Sequence, residues 1–200
     1  MALKKENLLL LGATGYIGTY ILDQVLKAKS NFGKIVIFTS PGTATNKPAE
    51  LEKLRSQGVS VIIGDTSNPA SLLQAFSGID TVISAAGRPI IAKQIDWINV
   101  AIQAPSVKRF FPSEYGTDIE YDASSAHEVP HQQKLKVRAA LRQQEREGKG
   151  LEYTFVVTGP FAYGYLGKAR GGLGGFDVKG KRAVVLGDGK GRISLTTDPE

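Results

Sequence analysis

Six short apolar runs recur along the chain, and stretches with helical spacing separate most of them. The runs are Leu8–Leu11, Ile35–Phe38, Val59–Ile63, Asp80–Ser84, Lys108–Phe111 and Tyr153–Val157. After the first, apolar positions at Ile17, Ile21, Leu22, Val25 and Leu26 predict a helix from Gly15 to about Lys29. Pro48–Gln57, Ser67–Phe76, Ile90–Gln103 and Pro130–Glu147 read as further helices, and Ser40–Lys47 as turn. Strands this short and this uniformly apolar have no wet face. They belong to a parallel sheet covered on both sides, so the fold class is α/β with a doubly wound sheet. Such sheets gather ligands at the carboxyl ends of their strands, which directs the search to the residues after each run.

The alternation stops near residue 157. Nine of residues 166–192 are Gly, and Val184-Val185-Leu186 is the one clear strand there. The chain therefore divides into an alternating α/β domain over 1–157 and a differing segment over 158–200 that reads as a flap or the opening of an incomplete second, C-terminal lobe. Charge follows the same division. Of the net charge of +6, the segment 166–192 carries +5, with seven basic and two acidic residues. No aromatic-interleaved RNA motif accompanies these cations, so nucleic acid is not the expected partner. With no Cys, the chain has neither disulfides nor thiolate metal sites nor a cysteine nucleophile. No apolar run approaches the roughly 18 residues needed to span a bilayer, and the first residues resemble no signal peptide. The expectation is a soluble cytoplasmic protein with no membrane partner; its oligomeric state stays open.

Gly12-Ala13-Thr14-Gly15-Tyr16-Ile17-Gly18 lies between the first strand and the first helix. In this position Gly12 permits the tight turn, Gly15 lets backbone approach a pyrophosphate, and Gly18 lets the helix pack on the strand. The helix N-terminus adds free N–H groups and a positive dipole end for the phosphates. This is the turn of a Rossmann domain, and it lacks the Lys-Ser/Thr pair of a Walker A loop. An acidic residue after the second strand would hold a ribose 2′-hydroxyl and repel a 2′-phosphate. None stands in Phe38-Thr39-Ser40-Pro41. The hydroxyls of Thr39, Ser40 and Thr43, with Lys47 nearby, suit a 2′-phosphate instead, so the expected cofactor is NADP(H); the alternative is that Lys47 is merely a solvated loop cation.

Two other patterns fail on physical grounds. His127-Glu-Val-Pro-His131 has the letters of a zinc-protease helix, but Pro130 interrupts the helical turn that would align the two histidines. No metal site is expected. Nor is there a Y-x-x-x-K pair, because the residue four before Lys134 is Pro130.

Four segments together carry a family resemblance: the glycine cluster, Val107-Lys-Arg-Phe-Phe-Pro-Ser-Glu-Tyr-Gly116, Lys134-Leu-Lys-Val-Arg138 and Tyr153-Thr-Phe-Val-Val-Thr-Gly-Pro-Phe161. In this order they resemble the isoflavone reductase-like, or NmrA-like, group of atypical short-chain dehydrogenases. The resemblance implies an NADPH-dependent reductase of a small aromatic or carbonyl-bearing compound. It places a general acid/base at Lys134, in the K-x-x-V-R motif, with Arg138 one turn on and near substrate. A buried lysine with a lowered pKa can donate and accept a proton in this way. Asp65 is expected near the adenine, Ala86 beside the cofactor, Ser113 on the nicotinamide side, and Phe161 over the nicotinamide or substrate. Two departures stand out. Thr39 occupies the position where the group usually carries an arginine for the 2′-phosphate, and the chain stops near where the group's pocket-walling C-terminal portion begins. The same resemblance allows a second role, an NADP-sensing regulatory protein without turnover.

Overall fold

A computed structural model of the chain describes residues 4–162, 175–177, 179–185, 188–192 and 194–197. Two compact units emerge, Met1–Ser113 with Asp122–Phe155, and Glu114–Tyr121 with Val156–Glu200. In the first unit, strands β1 (Glu6–Leu11), β2 (Phe32–Thr39), β3 (Ser60–Ile63), β4 (Thr81–Ser84), β5 (Arg109–Phe111) and β6 (Glu152–Tyr153) form one sheet. Its order is β3-β2-β1-β4-β5-β6, and every pairing is parallel. This is the doubly wound α/β sheet that the alternation of strands and helices predicts.

Side-chain alternation explains how one sheet serves two cores. Leu9 and Leu11 point into a cluster with Leu72, Phe76, Trp97, Ile98, Val137 and Leu141. Leu8 and Leu10 point the other way, against Leu22, Leu51 and Leu54. The first cluster is built by α4 (Pro69–Ala75), α5 (Gln94–Gln103) and α6 (Val129–Arg146). The second belongs to α1 (Tyr16–Lys27) and α3 (Pro48–Ser56). Helices thus change faces where the strand order reverses, between β1 and β4, which is where a crevice for a ligand opens.

Several boundaries differ from the sequence expectation. β2 begins at Phe32, with Gly33 and Lys34 exposed at its start, so no apolar signal marks those residues. The stretch expected as turn holds a short helix, α2 (Pro41–Asn46). Ser40 caps it by accepting from the Thr43 N–H at 3.1 Å, and Pro41 stands in its first turn. The helix expected from Ile90 opens instead as a 3-10 turn over Arg88–Lys93 before α5. Pro89 sits at that start, and the Ile90 N–H bonds back to Gly87. The sixth strand is only Glu152–Tyr153, since it lies at the sheet edge against a three-residue β5.

In the second unit, the Tyr115 N–H donates to Val156 and the Gly159 N–H to Gly116. An antiparallel hairpin pairs β7 (Gly175–Asp177) with β8 (Arg182–Val184). The strand expected at Val184–Leu186 is therefore shifted towards the N-terminus; Leu186 lies outside the described residues. Among the described residues no helix is long and apolar enough to cross a membrane.

The amino ends of the strands are tied by polar side chains. Asp80 is 6% exposed; its carboxylate accepts the Asn7 N–H at 2.9 Å and meets the Lys4 ammonium at 3.2 Å. The Asn7 N–H holds Asp80 below the ordinary aspartate range; burial opposes this, and Lys4 and Lys108 reinforce it. A carboxyl group with a depressed folded pKa stabilises fully above its unfolded value and loses that contribution as pH falls through the folded one. Asp80→Asn is therefore expected to cost about 1–2 kcal/mol at neutral pH. The deficit shrinks as pH falls below the ordinary aspartate value of about 3.9. Urea denaturation of both proteins at pH 7 and pH 3 checks this, and an equal gap at the two values would refute it.

Candidate functional site

The residues after the strands converge at the carboxyl ends of β1 and β4. β1 is buried to its last residue, Leu11, and the chain then turns at Gly12 with φ of +79°. A Cβ there would stand 2.5 Å from the Ala85 carbonyl oxygen. The chain closes further where the Gly15 N–H donates to the Gly12 carbonyl at 3.0 Å. At Gly18 a Cβ would overlap the Gly12 carbonyl oxygen and come within 2.8 Å of Ala13 Cα. Helix α1 therefore starts flush against the turn. Its N-cap is Gly15, which offers no side chain to the first-turn N–H groups. The result is a tight turn without side chains at Gly12, Gly15 and Gly18, leading into a helix start that no side chain caps, an arrangement suited to a pyrophosphate. Ala13 is buried, Thr14 and Ile17 are half-buried, and Tyr16 is exposed, stacked edge-on with Tyr20.

The β2 side approaches the same turn. Lys47 Nζ donates to the Thr14 carbonyl at 2.7 Å and lies 3.2 Å from the Glu50 carboxylate. Thr39 ends β2 and is 8% exposed. The Ser40 hydroxyl is engaged in capping α2 and contacts the Thr43 hydroxyl at 3.1 Å. Asp65 follows β3, exposed, with its carboxylate accepting the Ser67 N–H. Two bonds fix that loop to the region before and within α5: Lys93 Nζ to the Ser67 hydroxyl, and the Trp97 indole N–H to the Thr66 carbonyl.

On the other side, the Ala85 N–H donates to the Leu11 carbonyl, and Ala86 is buried. The Ser113 hydroxyl donates to the Ala86 carbonyl at 2.9 Å, and Gln94 Oε1 accepts the Ser113 N–H at 2.8 Å. Gln94 is 1% exposed, and its amide N–H also donates to Ile91. The sequence reading missed Gln94. A lone glutamine before an apolar helix carries no pattern, and its role depends on a contact 19 residues away.

Lys134 sits on α6, half-buried. The same helix buries Val137, Arg138, Leu141 and Gln144. Lys134 lies one turn before Val137 and Arg138 and so shares their inward face. α6 packs on α5 and on the Arg88–Lys93 turn, directly after Ala86-Gly87. Arg138 is 3% exposed, with its guanidinium 4.7 Å from the centre of the Phe155 ring. Phe161 belongs to the second unit, where its backbone bridges Thr196. The two histidines do not share a helix. His127 lies in a 3-10 turn before α6, and His131 Nδ1 contacts the Ser125 carbonyl at 2.9 Å.

Known proteins with this arrangement are similar over most of the chain. An isoflavone reductase homolog of Nicotiana glauca is 33% identical over 193 residues, 94% of this chain and 59% of its own length. A phenylcoumaran benzylic ether reductase of Pinus taeda is 32% identical over 201 aligned positions, 98% of this chain and 62% of its own length. The solved structure of AtPrR2 with NADP+ and (+)-pinoresinol matches with a TM-score of 0.67 at 26% identity, covering 80% of this chain and 53% of that one. The chain thus spans about three-fifths of the length of these curated relatives. The model of the NmrA-like family matches residues 4–173. That span takes in all of the parallel sheet, the glycine turn and the helix bearing Lys134, and the chain belongs to the NmrA-like family.

Proposed function

We propose that this chain is the NADP(H)-binding part of a reductase acting on a small aromatic compound of the phenylpropanoid type. The observation that carries the reading is the tight turn at Gly12, Gly15 and Gly18, where close backbone packing and a helix start without a side-chain cap suit a dinucleotide pyrophosphate. Support for NADP(H) comes from the lack of an acidic residue after β2 and from the NADP+ in the AtPrR2 structure. When bound, the nicotinamide supplies a hydride.

The chain's residues then divide the remaining work. Gly12 to Gly18 hold the pyrophosphate, while Thr39, Ser40 and Lys47 border the 2′-phosphate and Asp65 the adenine. Ala86 leaves room beside the cofactor, and Ser113 fixes the carbonyl of Ala86. Lys134 holds or delivers the proton that balances hydride transfer, with its Nζ as the exchanging atom. Arg138 borders the substrate. Residues 1–157 form the cofactor domain, and 158–200 begin the substrate region. A sensing role without turnover is not favoured, because the relatives above are named as reductases or a reductase homolog.

Titration of the protein with NADPH and NADH, followed by intrinsic fluorescence, tests the cofactor assignment. Saturable binding with NADPH the tighter ligand is expected. No binding of either dinucleotide would overturn the reading.

A further inference from the structure

Lys47 is the one cation among the residues expected to receive a 2′-phosphate, and it already has two partners. Its ammonium donates to the Thr14 carbonyl at 2.7 Å and pairs with Glu50 at 3.2 Å. Both side chains of the pair are partly exposed, at 43% for Lys47 and 36% for Glu50. Thr39 and Ser40 add hydroxyls but no charge, and the Ser40 hydroxyl is engaged in its cap. The local charge facing a 2′-phosphate is therefore about neutral. Glu50 owes its place to local sequence. It sits in the first turn of α3, where a carboxylate is favoured by the helix dipole, three residues after Lys47 at the N-cap.

From this we infer that Glu50 is a specificity-determining residue that weakens discrimination between NADPH and NADH. Its carboxylate competes with the 2′-phosphate for the Lys47 ammonium. A phosphate approaching Lys47 must displace or share that carboxylate, whereas NADH, with a 2′-hydroxyl, meets no such opposition. The Thr14 bond meanwhile anchors Lys47 to the glycine turn, so the ammonium stays within reach of a dinucleotide seated there. The inference rests on the cofactor reading above and deepens it.

Dissociation constants for NADPH and NADH, measured by fluorescence titration of the intact protein at low salt, test it. Glu50→Gln is expected to tighten NADPH about fivefold and leave NADH unchanged, as freeing one ammonium to pair with a phosphate predicts. The gain shrinks towards unity at about 0.5 M salt, where exposed charges are screened. In a Lys47→Met background the same substitution is expected to yield little, because the cation competed for is gone. An unchanged NADPH to NADH ratio, or a gain that persists in full without Lys47, would overturn the role of Glu50. Failure of both dinucleotides to bind would overturn the cofactor reading and this inference together.

Discussion

Gly18→Ala is expected to abolish dinucleotide binding and to lower stability by about 3 kcal/mol. The added methyl group has nowhere to go, since its position overlaps the Gly12 carbonyl oxygen and presses on Ala13 Cα, both backbone atoms. Relief requires α1 to move away from β1, and that shift drags the first-turn N–H groups away from the glycine turn. Leu22, on the same helix, packs in the core shared with Leu8 and Leu10, so the displacement also opens apolar contacts. Two milder substitutions calibrate the effect. A Cβ at Gly15 would lie 3.2 Å from the Gly12 carbonyl oxygen, and Gly15 has extended backbone with φ of −82°. Gly15→Ala should therefore fold nearly as the wild type yet weaken cofactor binding, because its methyl group stands where the pyrophosphate approaches. At Gly42, within α2, the nearest atom would be the Ser40 hydroxyl at 3.9 Å, and alanine should leave binding unchanged and stabilise slightly, as the better helix former. Urea denaturation with NADPH titration of the three variants checks the order. A Gly18→Ala protein with unchanged midpoint and affinity would show that the turn is not the tight joint described.

What the sequence discloses follows from how local each feature's cause is. β1 is legible because four consecutive leucines, each at most 2% exposed, serve both cores at once. The glycine turn is legible because its backbone demands fall within seven residues. α2 is hidden, since Gly42, Thr43, Thr45 and Asn46 are poor helix formers and the Ser40 cap sustains the turn. β6 is overread because Phe155 and Val156 are as strand-like as Tyr153. The sheet offers them one short neighbour, and Val156 instead pairs with Tyr115. The site shows the same contrast. Lys47 can be nominated from its place after β2, but the bond to Thr14 joins residues 33 apart. The tie of Gln94 to Ser113 and that of Trp97 to Thr66 are likewise tertiary, with no spacing rule to expose them. The Lys47–Glu50 pair is the exception, a spacing of three that is legible once a helix start at Pro48 is recognised.

Lys134→Ala is expected to leave NADPH affinity within about twofold and to cut turnover of a phenylpropanoid-type substrate by about 100- to 10,000-fold, the range of a lost general acid/base. The fold should survive, since alanine is a strong helix former and the inward face of α6 is anchored by Val137, Arg138 and Leu141. Loss confined to kcat, with KM little changed, would assign the lysine to the chemical step. A positive charge that merely holds substrate or cofactor would produce a different pattern, and Lys134→Arg separates the two. Arginine keeps the charge and much of the reach, but it is not deprotonated in proteins and cannot exchange a proton. If Lys134 moves a proton, the arginine variant is as slow as the alanine variant while binding NADPH normally. If the arginine variant recovers most of the turnover, the lysine acts through charge alone. The proton must then come from another group, and Lys134 would lose the role proposed for it.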